Sequence, residues 1–468
     1  MIMHLLSKTS TLARNSKTSR IFFFLSPVMV HLAFFRPQCF SIFSFLFLIP
    51  IFYLGFYKLL SFKEGFLWGV IFYFLHFYAY IHIFSDDGNC YTRLLLLAFL
   101  MFYCAIYPGL WFWLSQTVSN FGSSYIWSFI VWTFFTFLYF IWMNYGCFWI
   151  FGIFMGDPFG SPLLPLTQNN FFLSYLHFFG QNIMLLLLLL FGGSTALFFI
   201  LHKKKYIIFS TIVLSPFFGG IFLKKSDDLS LATNCIKKIG YIPPPPKNIA
   251  DHPLDAAQEI YYRMSEVIKN NSQIRYIVMP ESSYPFCLNC MHEIIEMWHL
   301  NALGDTISLL IGAHRKEGDS YFNSLYMIKQ GKISRVYDKI GLMPFAESMP
   351  KFWNNVSYIK NLFIKKNNFF CAGSNDNYCF NLDDIILEPY ICSELFLRKI
   401  STAISTKKST IILLAINDSI FSSSYMKNLM FLRSKFSAMR YSQDILYVGY
   451  SFARLITKKG DIINIPRS

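Results

Sequence analysis

The sequence has few charged residues. Asp, Glu, Lys and Arg make up only 14% of its 468 residues, whereas 54% are hydrophobic. A soluble domain usually has about a quarter of its residues charged. Two long stretches, 94–156 and 158–202, contain no Asp, Glu, Lys or Arg. This shortage excludes an ordinary soluble protein and indicates an integral membrane protein.

The shortage of charge ends near residue 224, where charged residues return at ordinary density. This change predicts a transmembrane domain over 1–225 and a globular domain over 251–468, a size that one domain can fill. Residues 226–250 form the linker and the entry to the globular domain. Within this linker, the four prolines 243–246 favour an extended polyproline II conformation.

The N-terminal part contains about seven apolar segments. Most of them approach the ~20 apolar residues that a helix needs to cross a bilayer, and they are 21–35, 39–57, 66–84, 94–114, 123–149, 180–201 and 206–222. Lysines and arginines flank several of these segments, as in cytoplasmic loops. A basic N-terminus in the cytoplasm and an odd number of spans place the globular domain on the outer face.

Two further patterns concern charge and turns. The formal net charge of +15 comes largely from residues beside the apolar segments. Because no nucleic-acid-binding motif accompanies this charge, we expect no nucleic-acid partner. Residues 156–162, Gly-Asp-Pro-Phe-Gly-Ser-Pro, break helices and predict a loop or a re-entrant element on the outer side.

The globular part has the pattern of an α/β layered fold. Apolar runs typical of buried strands alternate with helical patterns. Strands are predicted at 274–279, 307–312, 333–337, 385–391 and 410–416, and helices at 253–270 and 395–406.

Three residues with reactive side chains follow predicted strands. They are Glu281 in Met-Pro-Glu-Ser-Ser-Tyr-Pro, Lys339 in Tyr-Asp-Lys-Ile-Gly-Leu-Met-Pro-Phe-Ala-Glu, and Cys392 in Tyr-Ile-Cys-Ser-Glu-Leu-Phe. A cysteine at a strand-to-helix turn is a candidate nucleophile, because its thiolate is reactive once a base or a cation favours it. A carboxylate, an ammonium and a thiol can together carry out acyl transfer through a thioester.

These three contexts resemble the carbon–nitrogen hydrolase (nitrilase) superfamily, whose members carry Glu, Lys and Cys in this order. The span-rich N-terminal half and the Lys339-x3-Met-Pro-Phe-Ala-Glu347 phrase resemble, more narrowly, the apolipoprotein N-acyltransferase family. The resemblance runs from about residue 40 to the end of the chain. It implies a multi-pass α-helical membrane domain followed by an α/β nitrilase-like α-β-β-α sandwich domain over 251–468.

The resemblance also implies roles for these residues. Glu281 is the general base toward the Cys392 thiol and later the acid for the leaving alcohol. Cys392 is the nucleophile that takes an acyl chain from a phospholipid. Lys339, with a backbone N–H near Ser393, stabilises the tetrahedral oxyanion.

Two carboxylates match further positions of the family motifs. Glu347 and Glu394 are implied to orient Lys339 or to shape the pocket. The implied partners are a membrane phospholipid as acyl donor and the N-terminal amine of a diacylglyceryl-cysteine in an apolipoprotein as acceptor. We expect a monomer in the bacterial inner membrane, with the catalytic domain on the periplasmic side and without a cofactor or a metal ion.

The sequence departs from the family pattern at several positions. Ser393 stands where the family usually has Tyr, and Ile420 replaces the Trp of an Asn417-Asp418-x-Trp-Phe motif. The usual Asn-rich turn is missing near Ser451. The chain also stops at Ser468, before the closing strands and last transmembrane helix that the resemblance leads us to expect.

Three other functions stay open at this point. A membrane-tethered amidase or nitrilase would use the same Glu, Lys and Cys with water and without a phospholipid. A degenerate family member would be inactive. A transporter or scaffold would be expected to carry charged or polar residues inside its spans, which the two uncharged stretches argue against.

The other cysteines allow several interpretations. Cys287 and Cys290 are spaced as in a redox pair, half of a zinc site or a disulfide. No second Cys or His pair stands at metal spacing, so we expect them to pack within a helix that follows Glu281. Cys371 and Cys379 are a second possible pair, whose connectivity the sequence does not give.

Overall fold

The computed structural model describes residues 16–78, 90–148, 156–157, 159–221, 236–344, 347–348, 370–374, 379–382, 385–397, 409–420 and 424–466. The chain consists of two compact units. The helical unit comprises Met1–Trp149, Phe154–Leu223 and Phe421–Phe436. The α/β unit comprises Ile150–Ile153, Lys224–Ile420 and Ser437–Ser468.

The helical unit contains the apolar segments of the sequence. Its described helices are α1 (Ser16–Phe35), α2 (Pro37–Phe40), α3 (Phe43–Leu46), α4 (Leu48–Phe56), α5 (Phe62–Phe77), α6 (Cys90–Ser119), α7 (Tyr125–Tyr145), α8 (Leu176–Leu201) and α9 (Lys204–Leu214), with 3₁₀ turns at Leu164–Gln168, Asn170–Leu173 and Ser215–Ile221. Four stretches within the described residues are long and apolar enough to cross a bilayer: Thr18–Phe35, Leu97–Ser119, Tyr125–Tyr145 and Leu176–Leu201. These helices indicate a multi-pass membrane protein.

The other three predicted spans are shorter or interrupted. The predicted span 39–57 is divided among α2, α3 and α4. The predicted span 66–84 corresponds to α5, and its last part, 79–84, lies outside the described residues. The predicted span 206–222 corresponds to α9 and the 3₁₀ turn that follows it. A total of seven spans, and the orientation drawn from it, therefore stay predictions.

The predicted loop or re-entrant element after Gly156 lies inside the helical unit. Asp157 is only 2% exposed, and its Oδ2 atom lies 2.9 Å from Nε2 of the buried His76 on α5. Its Oδ1 atom accepts a hydrogen bond from the backbone N–H of Phe159. A buried carboxylate needs such partners, because an uncompensated charge in apolar surroundings is costly.

The α/β unit is built on two sheets. Its described strands are β1 (Ile239–Tyr241), β2 (Tyr276–Val278), β3 (Tyr284–Cys287), β4 (Ser308–Glu317), β5 (Ser320–Lys329), β6 (Lys332–Asp338), β7 (Phe380–Asn381), β8 (Ile385–Ile391), β9 (Ser409–Ala415), β10 (Asp444–Val448), β11 (Ala453–Ile456) and β12 (Ile462–Asn464). Its described helices are α10 (Lys247–Ala250), α11 (Pro253–Asn270), α12 (His292–Trp298) and α13 (Glu394–Leu397), with a π-helical turn at His299–Leu303 and 3₁₀ turns at Leu288–Cys290 and Asp418–Ile420. The last helix, α14 (Ser424–Tyr441), is divided between the two units.

Both sheets have a parallel part and an antiparallel part. The first has the strand order β1-β2-β4-β5-β6, with β3 paired to β4, and the pairs β1–β2, β2–β4 and β3–β4 are parallel. The second has the order β12-β11-β10-β9-β8-β7, with β8, β9 and β10 parallel. Loops at the carboxyl ends of parallel strands are where α/β proteins usually build their sites. Glu281, Cys392 and Asn417 follow β2, β8 and β9 at such ends.

The core of the α/β unit has two layers of buried side chains. Leu310 from the first sheet and Leu413 from the second belong to the layer between the sheets. The neighbouring Leu309 faces the other way and packs with Ile260 of α11, because successive strand residues point to opposite faces. The predicted fold class, apolar membrane helices followed by an α/β domain, is confirmed.

The helix α11 has the bounds predicted from the sequence. Pro253 occupies its first turn, Asp255 lies near its N-terminus and Lys269 lies in its last turn, which are the preferred places for these residues. The predicted strands are also found, with shifts of one to several residues at their ends. Of the predicted helix 395–406, residues 394–397 form α13, and 398–406 lie outside the described residues.

The segment after Glu281 corrects two expectations. Residues 284–287 form the strand β3, not a helix, and pair with β4. Pro285 is compatible with this strand because β3 has a single described neighbour. Cys287 and Cys290 form a disulfide, so the expectation that they serve packing alone was wrong. Cys371 and Cys379 are free thiols.

Candidate active site

Glu281 lies directly after β2, in a tight turn. Its side chain is buried, and its two carboxylate oxygens are held by different groups. Oε1 accepts a hydrogen bond of 2.8 Å from Nδ2 of Asn323, and Oε2 accepts one of 2.8 Å from the backbone N–H of Asn417. The next residue, Ser282, has a left-handed backbone with φ 51°, which is uncommon for a residue other than glycine. The carboxylate is therefore fixed from two sides.

Lys339 lies between two carboxylates. Its side chain is only 1% exposed, and Nζ is 2.9 Å from Oε1 and 2.8 Å from Oε2 of Glu347. The same Nζ lies 3.4 Å from Oε1 of Glu281. Burial alone would lower the pKa of Lys339, but the negative charges around it outweigh burial and raise the pKa above its usual range. Lys339 is therefore an ammonium ion at neutral pH.

Glu347 is itself held by the chain around it. Its Oε2 atom accepts a hydrogen bond of 2.8 Å from the backbone N–H of Met343. Its Oε1 atom accepts one of 2.9 Å from Nδ2 of Asn323, the group that also binds Glu281. One amide therefore holds both carboxylates that flank Lys339.

Cys392 follows β8 and also has a left-handed backbone, with φ 49°. Its N–H donates to the carbonyl oxygen of Ala415, 2.9 Å away, and the Glu281 carboxylate and the Lys339 ammonium both act on its thiol. Burial, together with the negative charge of Glu281, raises the pKa of the thiol well above its usual range. Residues held in sparsely populated backbone conformations are concentrated at functional sites. The structure thus brings Glu281, Lys339 and Cys392 together.

Glu394 holds the main chain on both sides of the Cys392 turn. Its Oε1 atom accepts hydrogen bonds from the Tyr337 hydroxyl (2.7 Å) and from the N–H groups of Ile340 (2.7 Å) and Gly341 (3.0 Å). Its Oε2 atom accepts one from the N–H of Ile391, 2.7 Å away. These bonds tie the segment after Lys339 to the turn of Cys392.

Ser393 has a similar place. It is 1% exposed, and its hydroxyl donates to the carbonyl oxygen of Gly341 at 3.0 Å. Like Glu394, Ser393 binds the backbone that follows Lys339. This contact shows how the turn is fastened in a chain that has Ser in place of Tyr.

We expect Glu394→Gln to lower the free energy of unfolding by about 1–3 kcal/mol, because an amide N–H₂ would then face a buried N–H donor or the Tyr337 hydroxyl. Denaturant unfolding of the detergent-solubilised protein measures this change. The control is Glu266→Gln on the exposed face of α11, for which we expect a change within about 0.5 kcal/mol. Equal effects of the two variants would contradict the anchoring role of Glu394.

Two groups of the site were not predicted from the sequence. Asn323 lies on β5, is 3% exposed and pairs with His314 of β4. The sequence carried no signal for this role, since the burial of the amide and the use of its hydrogen bonds appear only in the folded structure. The N–H of Asn417 contributes through the backbone, which no side-chain pattern reveals. Among the described residues, no group of three His, Cys, Asp or Glu side chains is placed to hold a metal ion.

Several curated proteins are similar in sequence to this chain. No family model matches the chain. An apolipoprotein N-acyltransferase of Helicobacter pylori is 28% identical over 204 residues, covering 43% of this chain and 46% of that protein. The Helicobacter hepaticus enzyme of the same name is 32% identical over 134 residues, covering 26% and 31%. That of Campylobacter jejuni is 27% identical over 198 residues, covering 42% and 40%. The matches thus span less than half the length of these relatives.

The solved structures similar to part of the chain include a nitrilase-superfamily amidase and a CN-hydrolase superfamily protein. An amidase from Nesterenkonia, 9% identical, covers 49% of this chain and 86% of its own, with a TM-score of 0.35. A CN-hydrolase superfamily protein from Xanthomonas campestris, 13% identical, covers 45% and 80%, with a TM-score of 0.32.

The curated relatives agree with one another in name. Four of them match with identities from 27% to 33%, and all four carry the same name. These homologues confirm the resemblance of the chain to the apolipoprotein N-acyltransferase family.

Proposed function

We propose that this chain is a membrane-bound N-acyltransferase that acylates its own Cys392 and then passes the acyl chain to a lipoprotein amine. The observation that carries the proposal is the buried Glu281 carboxylate 3.4 Å from the Lys339 ammonium, with Cys392 on a left-handed turn after β8 where both charges act on its thiol. A nucleophile with a base in contact is the arrangement that covalent catalysis requires. The names of the curated homologues support acyl transfer as the reaction.

In the first half-reaction, Glu281 accepts the proton of Cys392 as the thiolate attacks the ester carbonyl carbon of a membrane phospholipid. A carbon–sulfur bond forms, and the carbonyl oxygen becomes an oxyanion, which the Lys339 ammonium and an N–H near Ser393 stabilise. The oxyanion then collapses and the ester C–O bond breaks. Glu281 gives the proton to the leaving alcohol, so the products are a Cys392 thioester and a lysophospholipid.

In the second half-reaction, the neutral α-amine of a diacylglyceryl-cysteine attacks the thioester carbonyl carbon. A carbon–nitrogen bond forms, and Glu281 takes a proton from the attacking nitrogen. The carbon–sulfur bond then breaks, and the thiolate of Cys392 recovers the proton from Glu281. The product is an amide, and the free thiol is ready for another phospholipid.

The raised pKa of Cys392 explains why a base is needed. At neutral pH the thiol stays protonated because burial and the Glu281 charge disfavour a thiolate. A thiol in this state is a weak nucleophile until a base removes its proton. Asn323 and Glu347 support this step by fixing the Glu281 carboxylate and the Lys339 ammonium.

The apolar helices support a reaction at a membrane. Both substrates carry acyl chains, and lipids can reach a membrane-attached enzyme by lateral diffusion. We place the enzyme in the bacterial inner membrane with its α/β unit on the periplasmic side, acting as a monomer without a cofactor. The basic residues beside the apolar segments support this orientation.

Transfer to a lipopeptide tests the proposal. Purified protein in phospholipid vesicles is incubated with a diacylated lipopeptide whose N-terminal amine is free. We expect the lipopeptide to gain the mass of one acyl chain, at the amine, and the Cys392→Ala variant to give no gain. Release of ammonia from simple amides without any lipopeptide product would instead identify a membrane-tethered amidase. The absence of both products would identify an inactive chain.

A further inference from the structure

Three turns of the α/β unit are joined by hydrogen bonds beside Glu281. The first contains Glu281 and Ser282 after β2, the second contains Asn417 and Asp418 after β9, and the third contains Tyr450 after β10. The second turn binds Glu281 through the N–H of Asn417, which is 2.8 Å from Oε2. The Glu281 carboxylate therefore depends on the position of this turn.

The third turn connects the other two. The N–H of Tyr450 donates to Oδ1 of Asp418 at 2.8 Å, and the hydroxyl of Tyr450 donates to the carbonyl oxygen of Ser282 at 3.2 Å. Tyr450 thus contacts the Asn417–Asp418 turn, which binds Glu281, and also Ser282, the residue after Glu281. These three hydrogen bonds, together with the peptide bonds within Glu281–Ser282 and Asn417–Asp418, close a ring that includes Tyr450.

The backbone of this turn is itself fixed. The buried Tyr241 donates its hydroxyl to the carbonyl oxygens of Gly449 and Tyr450, each at 2.8 Å. At Gly449 a Cβ atom would lie 2.9 Å from Oδ2 of Asp418, which leaves no room for a larger residue. Tyr450 is therefore held by its main chain while its hydroxyl holds Ser282.

We propose that Tyr450 is a positioning residue for the general base: its hydroxyl fixes the left-handed Ser282 backbone and so sets the Glu281 carboxylate against the Cys392 thiol. The inference rests on the proposed role of Glu281. It assigns a role to Tyr450, which lies beside Ser451, where the Asn-rich motif of the family is missing. The alternative is that the Tyr450 hydroxyl only stabilises the fold.

Alkylation of Cys392 tests the proposal without any lipid. The rate of its reaction with iodoacetamide is measured from pH 6 to pH 10 by mass spectrometry of the peptide that contains Cys392. We expect Tyr450→Phe to lower the rate at pH 7 about tenfold, because a misplaced carboxylate removes the thiol proton less well. The difference should narrow toward pH 10, where hydroxide competes with Glu281 for the thiol proton.

A matched control separates positioning from folding. Tyr326 also donates its hydroxyl to a backbone carbonyl, that of His314 at 3.1 Å, so Tyr326→Phe loses the same kind of bond away from Glu281. We expect Tyr326→Phe to keep the pH profile of the unmodified protein. A Tyr450→Phe profile that matches this control would overturn the proposal.

A double variant tests whether Tyr450 acts through Glu281. In a Glu281→Gln background, Tyr450→Phe should change the alkylation rate less than twofold, because the base it positions is already absent. A further tenfold loss in that background would also overturn the proposal. If a thermal melting assay shows that Tyr450→Phe is unfolded, Asp418→Asn replaces it, since this change weakens the acceptor of the Tyr450 N–H. We then expect a smaller loss at pH 7, and an unchanged profile contradicts positioning. Because no lipid is involved, a failure of acyl transfer leaves this result unaffected.

Discussion

Replacing Glu281 with Gln is expected to lower the rate of Cys392 acylation by about 10²–10⁴-fold, the range for loss of a general base. The amide of Gln keeps the size of the side chain and one oxygen for Asn323 or Asn417, but it cannot accept the thiol proton. Single-turnover acylation with a labelled phospholipid measures the rate. The pH dependence should change as well, because the reaction of the variant requires hydroxide to form the thiolate.

Glu266→Gln is the control for this prediction, since Glu266 is exposed on α11. Its acylation rate should equal that of the unmodified protein. If Glu281→Gln acylates Cys392 within tenfold of the control at pH 7, a different group removes the thiol proton and the assignment of the base is wrong.

Replacing Lys339 with Met is expected to destabilise the protein by about 3–5 kcal/mol, because Glu281 and Glu347 would then be buried without their ammonium partner. It should also lower the acylation rate by about 10²–10³-fold through loss of oxyanion stabilisation. Denaturant unfolding and single-turnover acylation measure the two effects. Lys332→Met, at an exposed position on β6, is the control and should change neither.

The pH dependence of this destabilisation has a definite sign. Burial lowers the pKa of Lys339, but the surrounding negative charges outweigh burial. They raise this pKa in the folded protein above that of an unfolded lysine, about 10.4. Its contribution to stability is therefore complete below that pH and is lost as the pH rises through the folded pKa. The stability difference between the unmodified protein and Lys339→Met should be constant from pH 7 to about pH 10 and should narrow above it. A difference that is already gone at pH 8 would contradict the assignment of Lys339 as a buried ammonium.

The sequence could predict Glu281, Lys339 and Cys392 because each residue stands in a distinctive local motif after an apolar strand. It could not predict Asn323, because its role depends on the alignment of β5 with two distant loops and not on its neighbours in the chain. The ring through Tyr450 depends in the same way on three separate turns. Contacts between distant segments are set by packing, which local patterns do not encode.

The segment after Glu281 shows a different limit. Its spacing of cysteines and its apolar residues fit a helix as well as a strand, since short apolar runs are ambiguous between the two. In the structure this segment is a strand paired with β4, and Cys287 and Cys290 form a disulfide. Pro285 was the local sign against a helix interior.

In the helical unit the sequence predicted where apolar segments lie better than it predicted where helices break. The short helix α2 begins at Pro37 and ends at Phe40. The predicted span 39–57 is therefore interrupted near its start. Asp157 lies outside any helix or strand, in keeping with the predicted loop, but its pairing with His76 was not predicted. A partner 81 positions away cannot be read from the segment around Asp157.

The most direct test of the central claim is the mass of the intact protein after incubation with phospholipid vesicles and no acceptor. We predict an increase equal to one acyl chain, carried by Cys392, removed by neutral hydroxylamine and discharged by a diacylated lipopeptide. Cys392→Ala should show no increase. An unmodified protein without any adduct, or an adduct that persists in Cys392→Ala, would contradict the account.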